Sequence, residues 1–106
     1  MAKVVEMRTY GLKPGGQAEW LKTYQESVME LQKEVLGQMV GYFTTEIGPL
    51  NQVIHMWAYD GLDERARRRA DLLSRPEWQA FLPKVRPLIE TQESKILIPA
   101  PFSPIP

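Results

Sequence analysis

The chain has no cysteine, one histidine in 106 residues, and no excess of either charge, with thirteen Lys and Arg against thirteen Asp and Glu. Without cysteine there is no disulfide framework, no thiol nucleophile and no thiolate metal site, which agrees with a reducing cytoplasm. A balanced charge supplies no global field to draw the protein onto nucleic acid or an anionic membrane, so neither partner is expected. No apolar run approaches the ~20 residues of a membrane span, and Met1-Ala2-Lys3-Val4-Val5-Glu6 meets a carboxylate before a signal-peptide hydrophobic region forms. A soluble cytoplasmic protein is the expectation. One histidine leaves Glu6 and Glu46 to complete any metal shell, and no ligand spacing stands out, so neither metal nor cofactor is expected. Lys13-Pro14-Gly15-Gly16 lacks the glycine spacing and lysine position of a phosphate loop, and no serine sits in a G-x-S-x-G pattern.

What is present is concentrated in Val53-Ile54-His55-Met56-Trp57-Ala58-Tyr59. Strand alternation sends Ile54, Met56 and Ala58 one way and His55, Trp57 and Tyr59 the other. The first set is ordinary core; the second joins two large aromatics to the single histidine, the composition of a pocket wall or a buried interface. Both faces of the sheet are therefore expected to be covered.

The length fits a single domain, roughly 100–150 residues being typical. Val4 to Tyr10 reads as a first strand stopped by Gly11 and the Pro14-Gly15-Gly16 breaker. From Gln17 to Leu36, Trp20, Tyr24, Val28, Leu31 and Val35 recur at spacings of three and four, predicting one amphipathic helix closed by Gly37. Gln38 to Ile47 and Asn51 to Tyr59 predict a hairpin with a type I turn around Pro49. Pairing Gly48 with Asn51 sets Thr44 opposite His55 and Tyr42 opposite Trp57, with Phe43 joining Met56.

Leu62 to Arg75 predicts a second helix with Leu62, Ala66, Ala70 and Leu73 on its inner stripe. Arg67, Arg68 and Arg69 sit among acids at spacings of four, predicting the solvated pairs Asp63–Arg67, Glu64–Arg68 and Arg67–Asp71. Ser74-Arg75-Pro76-Glu77 has the form of a capping box opening a third helix that buries Trp78, Phe81, Leu82 and Val85, bent or ended by Pro83 and Pro87. Thr91 to Ile98 predicts the last strand. Pro99, Pro101, Pro104 and Pro106 then predict an extended tail, dividing the chain into a domain over 1–98 and a tail over 99–106.

The order β-α-β-β-α(α)-β predicts an α+β, ferredoxin-like fold with strands one and three adjacent at the centre and helices on one face. Glu6, Arg8 and Tyr10 then lie beside His55, Trp57 and Tyr59. Val5, Met7 and Thr9 are expected on the helix side with Ile54 and Met56, which leaves the aromatic face free of helices.

Glu6-Met7-Arg8-Thr9-Tyr10, the hairpin Val40-Gly41-Tyr42-Phe43-Thr44-Thr45-Glu46-Ile47-Gly48-Pro49-Leu50-Asn51, and His55-Met56-Trp57-Ala58-Tyr59 followed by an arginine-rich helix resemble the NIPSNAP family. Pro76-Glu77-Trp78 and Gln92-Glu93-Ser94-Lys95-Ile96-Leu97 with the proline-rich end extend the likeness over nearly the whole chain. The resemblance implies a dimeric α+β barrel, in which two four-stranded sheets meet by their helix-free faces and enclose a space. It carries no accepted catalytic motif. Related barrels include cofactor-independent monooxygenases of aromatic or quinol-like substrates and haem-degrading enzymes, an analogy of fold that cannot supply function.

On the chemistry, His55 is the one group that titrates near neutral pH, and it is read either as a general base, anchor or ligand, or as a structural histidine satisfied by Glu6, Thr44 or a tyrosine. Arg8 among Tyr10, Tyr42, Trp57 and Tyr59 is suited to hold a carboxylate or phenolate, or else pairs with Glu6. Two functions follow. The first is a homodimer or higher oligomer binding a small, partly apolar, aromatic or quinol-like molecule between its two sheets, with monooxygenase-like chemistry if His55 moves a proton. The second is an assembly or adaptor protein whose helix-free face is only an interface.

Overall fold

The computed structural model describes residues 2–105, so the expectations for Met1 and Pro106 lie outside it. The described residues run β1 (Val4–Leu12), α1 (Gly16–Ser27), α2 (Met29–Leu36), β2 (Gln38–Thr44), β3 (Gln52–Tyr59), α3 (Leu62–Ser74), α4 (Pro76–Val85), a 3₁₀ turn over Arg86–Leu88, and β4 (Ile89–Leu97). The sheet order is β2-β3-β1-β4, antiparallel throughout, with β1 and β3 at the centre as the split arrangement requires. None of these helices is long and apolar enough to cross a membrane.

Several elements depart from the sequence pattern for identifiable reasons. The single helix expected over Gln17–Leu36 is two, because Val28 leaves the helical region at φ −139°, ψ 0° while its side chain stays in the core. The bonds Val28 N–H to Tyr24 O and Gln32 N–H to Val28 O span the break, so little backbone bonding is lost. β1 runs on to Leu12, whose side chain is buried and whose N–H donates to Asn51 O at 2.8 Å. In the hairpin Tyr42, not Thr44, faces His55, and Phe43 faces Ile54. The cause is a wider loop: Gly48 and Asn51 adopt positive φ (117° and 63°) and the strands end at Thr44 and Gln52. A shift of two residues keeps Tyr42, Phe43 and Thr44 on their expected faces. A bulge between Met39 and Gly41 then sets Met39 opposite Trp57.

The assignment of faces is inverted relative to the expectation. Trp57 and Tyr59 pack with Val35 and Leu36 of α2 and Leu72 of α3, while Val53 packs with Trp20, Tyr24, Phe81 and Val85 of α1 and α4. Register places Glu6, Arg8 and Tyr10 on this same side, so the helices cover the aromatic face. Alternation distinguishes two faces but does not say which one the crossovers cover. Tertiary packing decides: the Tyr10 ring meets Trp20 at 5.2 Å, and Trp57 and Tyr59 pack on Val35, Leu36 and Leu72. The helix-free face carries Met7, Ile54 and Met56, all half-buried, with Phe43 52% exposed.

The rotation of α3 differs as well. Its expected inner stripe of Leu62, Ala66, Ala70 and Leu73 is exposed, whereas Arg65, Arg69 and Leu72, at the same helical spacing, face the sheet. Glu64–Arg68 forms as expected at 3.1 Å, but Asp71 pairs with Arg75 at 3.0 Å rather than with Arg67, and among the described residues Asp63 and Arg67 make no ion pair. No capping box closes α4: Ser74 Oγ donates to the Asp71 carbonyl, and Arg75 holds the N-cap position without a side-chain bond. Pro76 opens α4 as expected, α4 passes through Pro83, and Pro87 lies in the 3₁₀ turn. After Leu97 the chain forms no further strand or helix among the described residues, and it turns where Ser103 N–H meets Ala100 O.

The rotation of α3 is tested by two adjacent leucines, Leu72 at 2% exposure and Leu73 at 51%. We expect Leu72→Ala to cost about 2–5 kcal/mol in chemical denaturation and Leu73→Ala less than ~1 kcal/mol. Equal costs would contradict the orientation described.

Candidate functional site

A cavity of about 200 Å³ opens between the helix-covered face of the sheet and the helices. Strand register supplies one wall: Arg8 and Tyr10 from β1, Tyr42 from β2 and His55 from β3, with His55 directly opposite Arg8 on one side and Tyr42 on the other. The helices supply the other wall, through Trp20 and Tyr24 of α1, Gln32 of α2, Arg69 of α3, and Trp78, Phe81 and Leu82 of α4. Arg86 and Gln92 lie at the exposed rim. Among the described residues the lining thus contains three arginines and no carboxylate.

The aromatic wall is ordered by ring contacts and hydrogen bonds. Tyr42 stacks on His55 at 4.8 Å and on Tyr24 at 4.7 Å, and Tyr10 meets His55 edge-on at 5.3 Å. Trp20 Nε1 donates to the Tyr42 hydroxyl at 2.8 Å, and the Tyr24 hydroxyl donates to Gln32 Oε1. Burial pushes both the Tyr24 and Tyr42 phenols well above the ordinary tyrosine range, so they stay protonated.

Behind this wall lies a fully buried carboxylate. Glu6 accepts a two-pronged bond from Arg65, Nε to Oε1 at 3.0 Å and Nη2 to Oε2 at 2.8 Å. Arg8 Nη1 at 3.0 Å and Ser94 Oγ at 2.6 Å also donate to Oε2. Burial alone would raise its pKa, but the bonds from Arg65 and Ser94 and the charge of Arg8 outweigh it and hold Glu6 down at about 2. Arg8 is held in turn by the Tyr10 hydroxyl, which accepts from its Nε at 2.9 Å. Arg69 differs from both Arg8 and Arg65: among the described residues it makes no side-chain hydrogen bond and no ion pair, and burial followed by the charge of Arg8 lowers its pKa. A half-buried guanidinium without a partner is a standing demand for an anion.

His55 is 3% exposed and its imidazole is fixed in one orientation. Trp57 Nε1 donates to Nδ1 at 2.7 Å, so Nδ1 is the acceptor and the proton of the neutral ring sits on Nε2. Among the described residues Nε2 has no hydrogen-bond partner, and such a buried donor costs roughly 1–3 kcal/mol. Burial, then the positive charges of Arg8 and Arg69, drives the pKa down to about 3 against the opposing pull of Glu6. At neutral pH the ring is a weak base, and what it offers is an N–H.

Of the residues singled out in the sequence, Arg8, Tyr10, Tyr42 and His55 line the cavity. Glu6 is enclosed in its ion-pair network, Trp57 lies behind His55, and Tyr59 packs against Leu36 and Leu72, its hydroxyl without a partner among the described residues and raised to about 12 by burial and by Glu6. The expectation of a space between the sheets of two subunits is corrected for these residues, because the helices of the same chain cover them. Sequence reasoning missed Arg69, Gln32, Trp20 and Phe81 as site residues. The signal for Arg69 was its spacing of four from Arg65 and three from Leu72, concealed by the neighbouring arginines and by the apolar stripe one residue away.

Comparison with known proteins gives a consistent result. The NIPSNAP family model matches residues 5–104. A NipSnap homologue of Dictyostelium discoideum is 36% identical over 92% of this chain and 43% of its own length, and human NipSnap homologue 2 is 33% identical over 96% and 35%. The chain thus spans less than half the length of these curated relatives. A crystal structure of a NIPSNAP family protein of unknown function from Agrobacterium tumefaciens is 50% identical with a TM-score of 0.93, covering 97% of this chain and 93% of the other. An uncharacterised NIPSNAP-like domain protein from Burkholderia xenovorans is 47% identical with a TM-score of 0.94, over 98% and 90%. An antibiotic biosynthesis monooxygenase shares the fold at a TM-score of 0.64 with 11% identity, over 92% and 99%, a likeness of fold alone.

The depressed pKa values of His55 and Glu6 predict how stability follows pH. His55 is neutral when folded, so its contribution is complete above the unfolded pKa of 6.5 and is lost as pH falls toward about 3; that of Glu6 is complete above 4.5 and is lost toward about 2. Between pH 6.5 and 4.5 the loss is therefore carried by His55. Denaturation midpoints should fall over this interval in the parent protein and stay level in His55→Phe; parallel declines would refute the assignment.

Proposed function

This chain belongs to the NIPSNAP family, and on that footing we propose that it binds a small anionic molecule with an apolar or aromatic body in the cavity between its sheet and helices. The observation that carries this reading is a cavity lined by three arginines and no carboxylate, one of them, Arg69, without a partner among the described residues. Aromatic and aliphatic walls from Trp20, Tyr24, Tyr42, Phe81 and Leu82 suit the body of such a ligand, and the arginines suit its carboxylate or phenolate. At about 200 Å³ the space lies below the roughly 300–1,000 Å³ of drug-sized sites, which favours a ligand with a single ring. Quinols qualify when they ionise, since an uncharged ring leaves the arginines unanswered.

The helix-free face supports association of two copies. Met7, Ile54, Met56 and the exposed Phe43 form an apolar strip on a sheet face that no helix among the described residues covers, and a second copy would bury it against its own equivalent. Light scattering of the parent protein should give a dimer, and Met56→Asp, which lies away from the cavity, should give a monomer that keeps its ligand affinity. A monodisperse parent monomer at micromolar concentration excludes the homodimer.

Binding is measurable through the tryptophans, because Trp20 and Trp78 line the cavity. Benzoate, salicylate and p-hydroxybenzoate should change the emission saturably while benzamide does not, and Arg69→Met should weaken the acids at least tenfold with a melting temperature no lower than the parent's. If no acid binds at millimolar concentration, or Arg69→Met binds as well as the parent, the reading fails.

A further inference from the structure

We propose that His55, held by Trp57 as the Nε2–H tautomer, is the hydrogen-bond donor that receives an oxygen of the anionic ligand, acting as a neutral donor and not as a base. The inference rests on the cavity reading above and adds the chemistry of its uncharged polar contact. The geometry carries it. Trp57 Nε1 has only a proton to give, so its 2.7 Å bond to Nδ1 forces the imidazole proton onto Nε2. Nε2 is buried and unpartnered among the described residues, on a ring that lines the cavity and is clamped by Tyr42 in a parallel stack and by Tyr10 edge-on. Among the described residues no acceptor answers this N–H, and a ligand held by the neighbouring guanidiniums brings one.

The surroundings keep the ring neutral. Arg8 from β1 and Arg69 from α3 oppose a third positive charge, Glu6 from β1 favours it but is already neutralised by Arg65 and Arg8, and the Tyr10 and Tyr42 rings from β1 and β2 shield the imidazole from water. An imidazolium would also have to replace its bond from Trp57, since a protonated Nδ1 cannot accept. A neutral donor beside two fixed cations suits an oxygen that is already anionic: the guanidiniums balance the charge and the imidazole N–H fixes the direction of the acceptor lone pair. The ligand class is therefore a preformed oxyanion such as a carboxylate, phenolate or enolate, bound without uptake of a proton by the protein. Trp57, which does not line the cavity, is a positioning residue acting through His55.

Because His55 is the only histidine, its ring nitrogens are assigned without mutation in protein labelled with ¹⁵N-histidine. Long-range ¹H–¹⁵N spectra should show the neutral Nε2–H tautomer from pH 5 to 8 in the free protein, and saturating benzoate should move the Nε2 resonance while leaving the ring neutral. Trp57→Phe should let the tautomers mix and weaken benzoate at least fivefold. His55→Phe should weaken it about tenfold while keeping the fold, and His55→Gln, which restores an N–H, should recover part of that loss. An Nδ1–H tautomer or an imidazolium in this pH range overturns the proposal outright, in the absence of any ligand. Benzoate that shifts tryptophan emission but leaves Nε2 unmoved overturns the donor role and leaves the cavity reading standing. Failure of benzoate and the other acids to bind at all overturns both.

Discussion

A carboxylate with no access to water governs the arrangement of this protein. Glu6 lies in the central strand at 0% exposure, where an unpaired charge costs several kcal/mol. Its oxygens are met by Arg65 from α3, Arg8 from two residues along β1 and Ser94 from β4. Three elements far apart in sequence are thus pinned at one point. Arg65 in particular must reach inward, and a helix that points one residue at the sheet has its rotation settled.

That rotation decides what the cavity contains. Turning α3 so that Arg65 meets Glu6 also brings in Arg69 and Leu72, which follow at four and seven residues, and sends Leu62, Ala66, Ala70 and Leu73 outward by about one hundred degrees. Burying Leu62 and Leu73 at the expense of Leu72 would have gained a net of one leucine, roughly 1.5–3 kcal/mol, besides the small surfaces of two alanines. An uncompensated buried carboxylate costs more, since removing one partner of such a pair is worth about 3–5 kcal/mol, so the ion pair prevails. Arg69 arrives in the cavity wall as a consequence of the same turn, with no acid among the described residues that line it. The positive character of the cavity is thus tied to a structural ion pair behind it.

The opposite wall is set by sheet register. The Tyr42–His55–Arg8 row crosses three strands, and each member is positioned by its neighbours: Tyr42 by the Trp20 indole, His55 by the Trp57 indole, Arg8 by Glu6 and the Tyr10 hydroxyl. Side chains locked in this way give a pre-organised polar surface, the condition for recognising a small ligand without a large entropic loss. The wide hairpin loop and the bulge at Met39/Gly41 belong to the same solution, since they let Tyr42 stand opposite His55 while the far end of β2 still delivers Met39 to Trp57.

The sequence by itself determined the order of elements, the antiparallel four-stranded sheet with β1 and β3 at its centre, and the sharing of one face by Glu6, Arg8, Tyr10, His55, Trp57 and Tyr59, because strand and helix periods are local properties of the chain. It also marked four of the cavity residues, Arg8, Tyr10, Tyr42 and His55, through the unusual chemistry of that face. Only the tertiary structure decided which face the helices cover, how α3 is rotated, and that Arg69, Gln32 and Phe81 meet the strand residues across one cavity. Periodicity ranks positions by hydrophobicity alone, so it favoured Leu62, Ala66, Ala70 and Leu73 over a stripe holding two arginines. That choice reverses once Glu6 is buried on the facing strand, and the demand of a buried charge for its partner acts between residues 59 positions apart, beyond the reach of any local pattern.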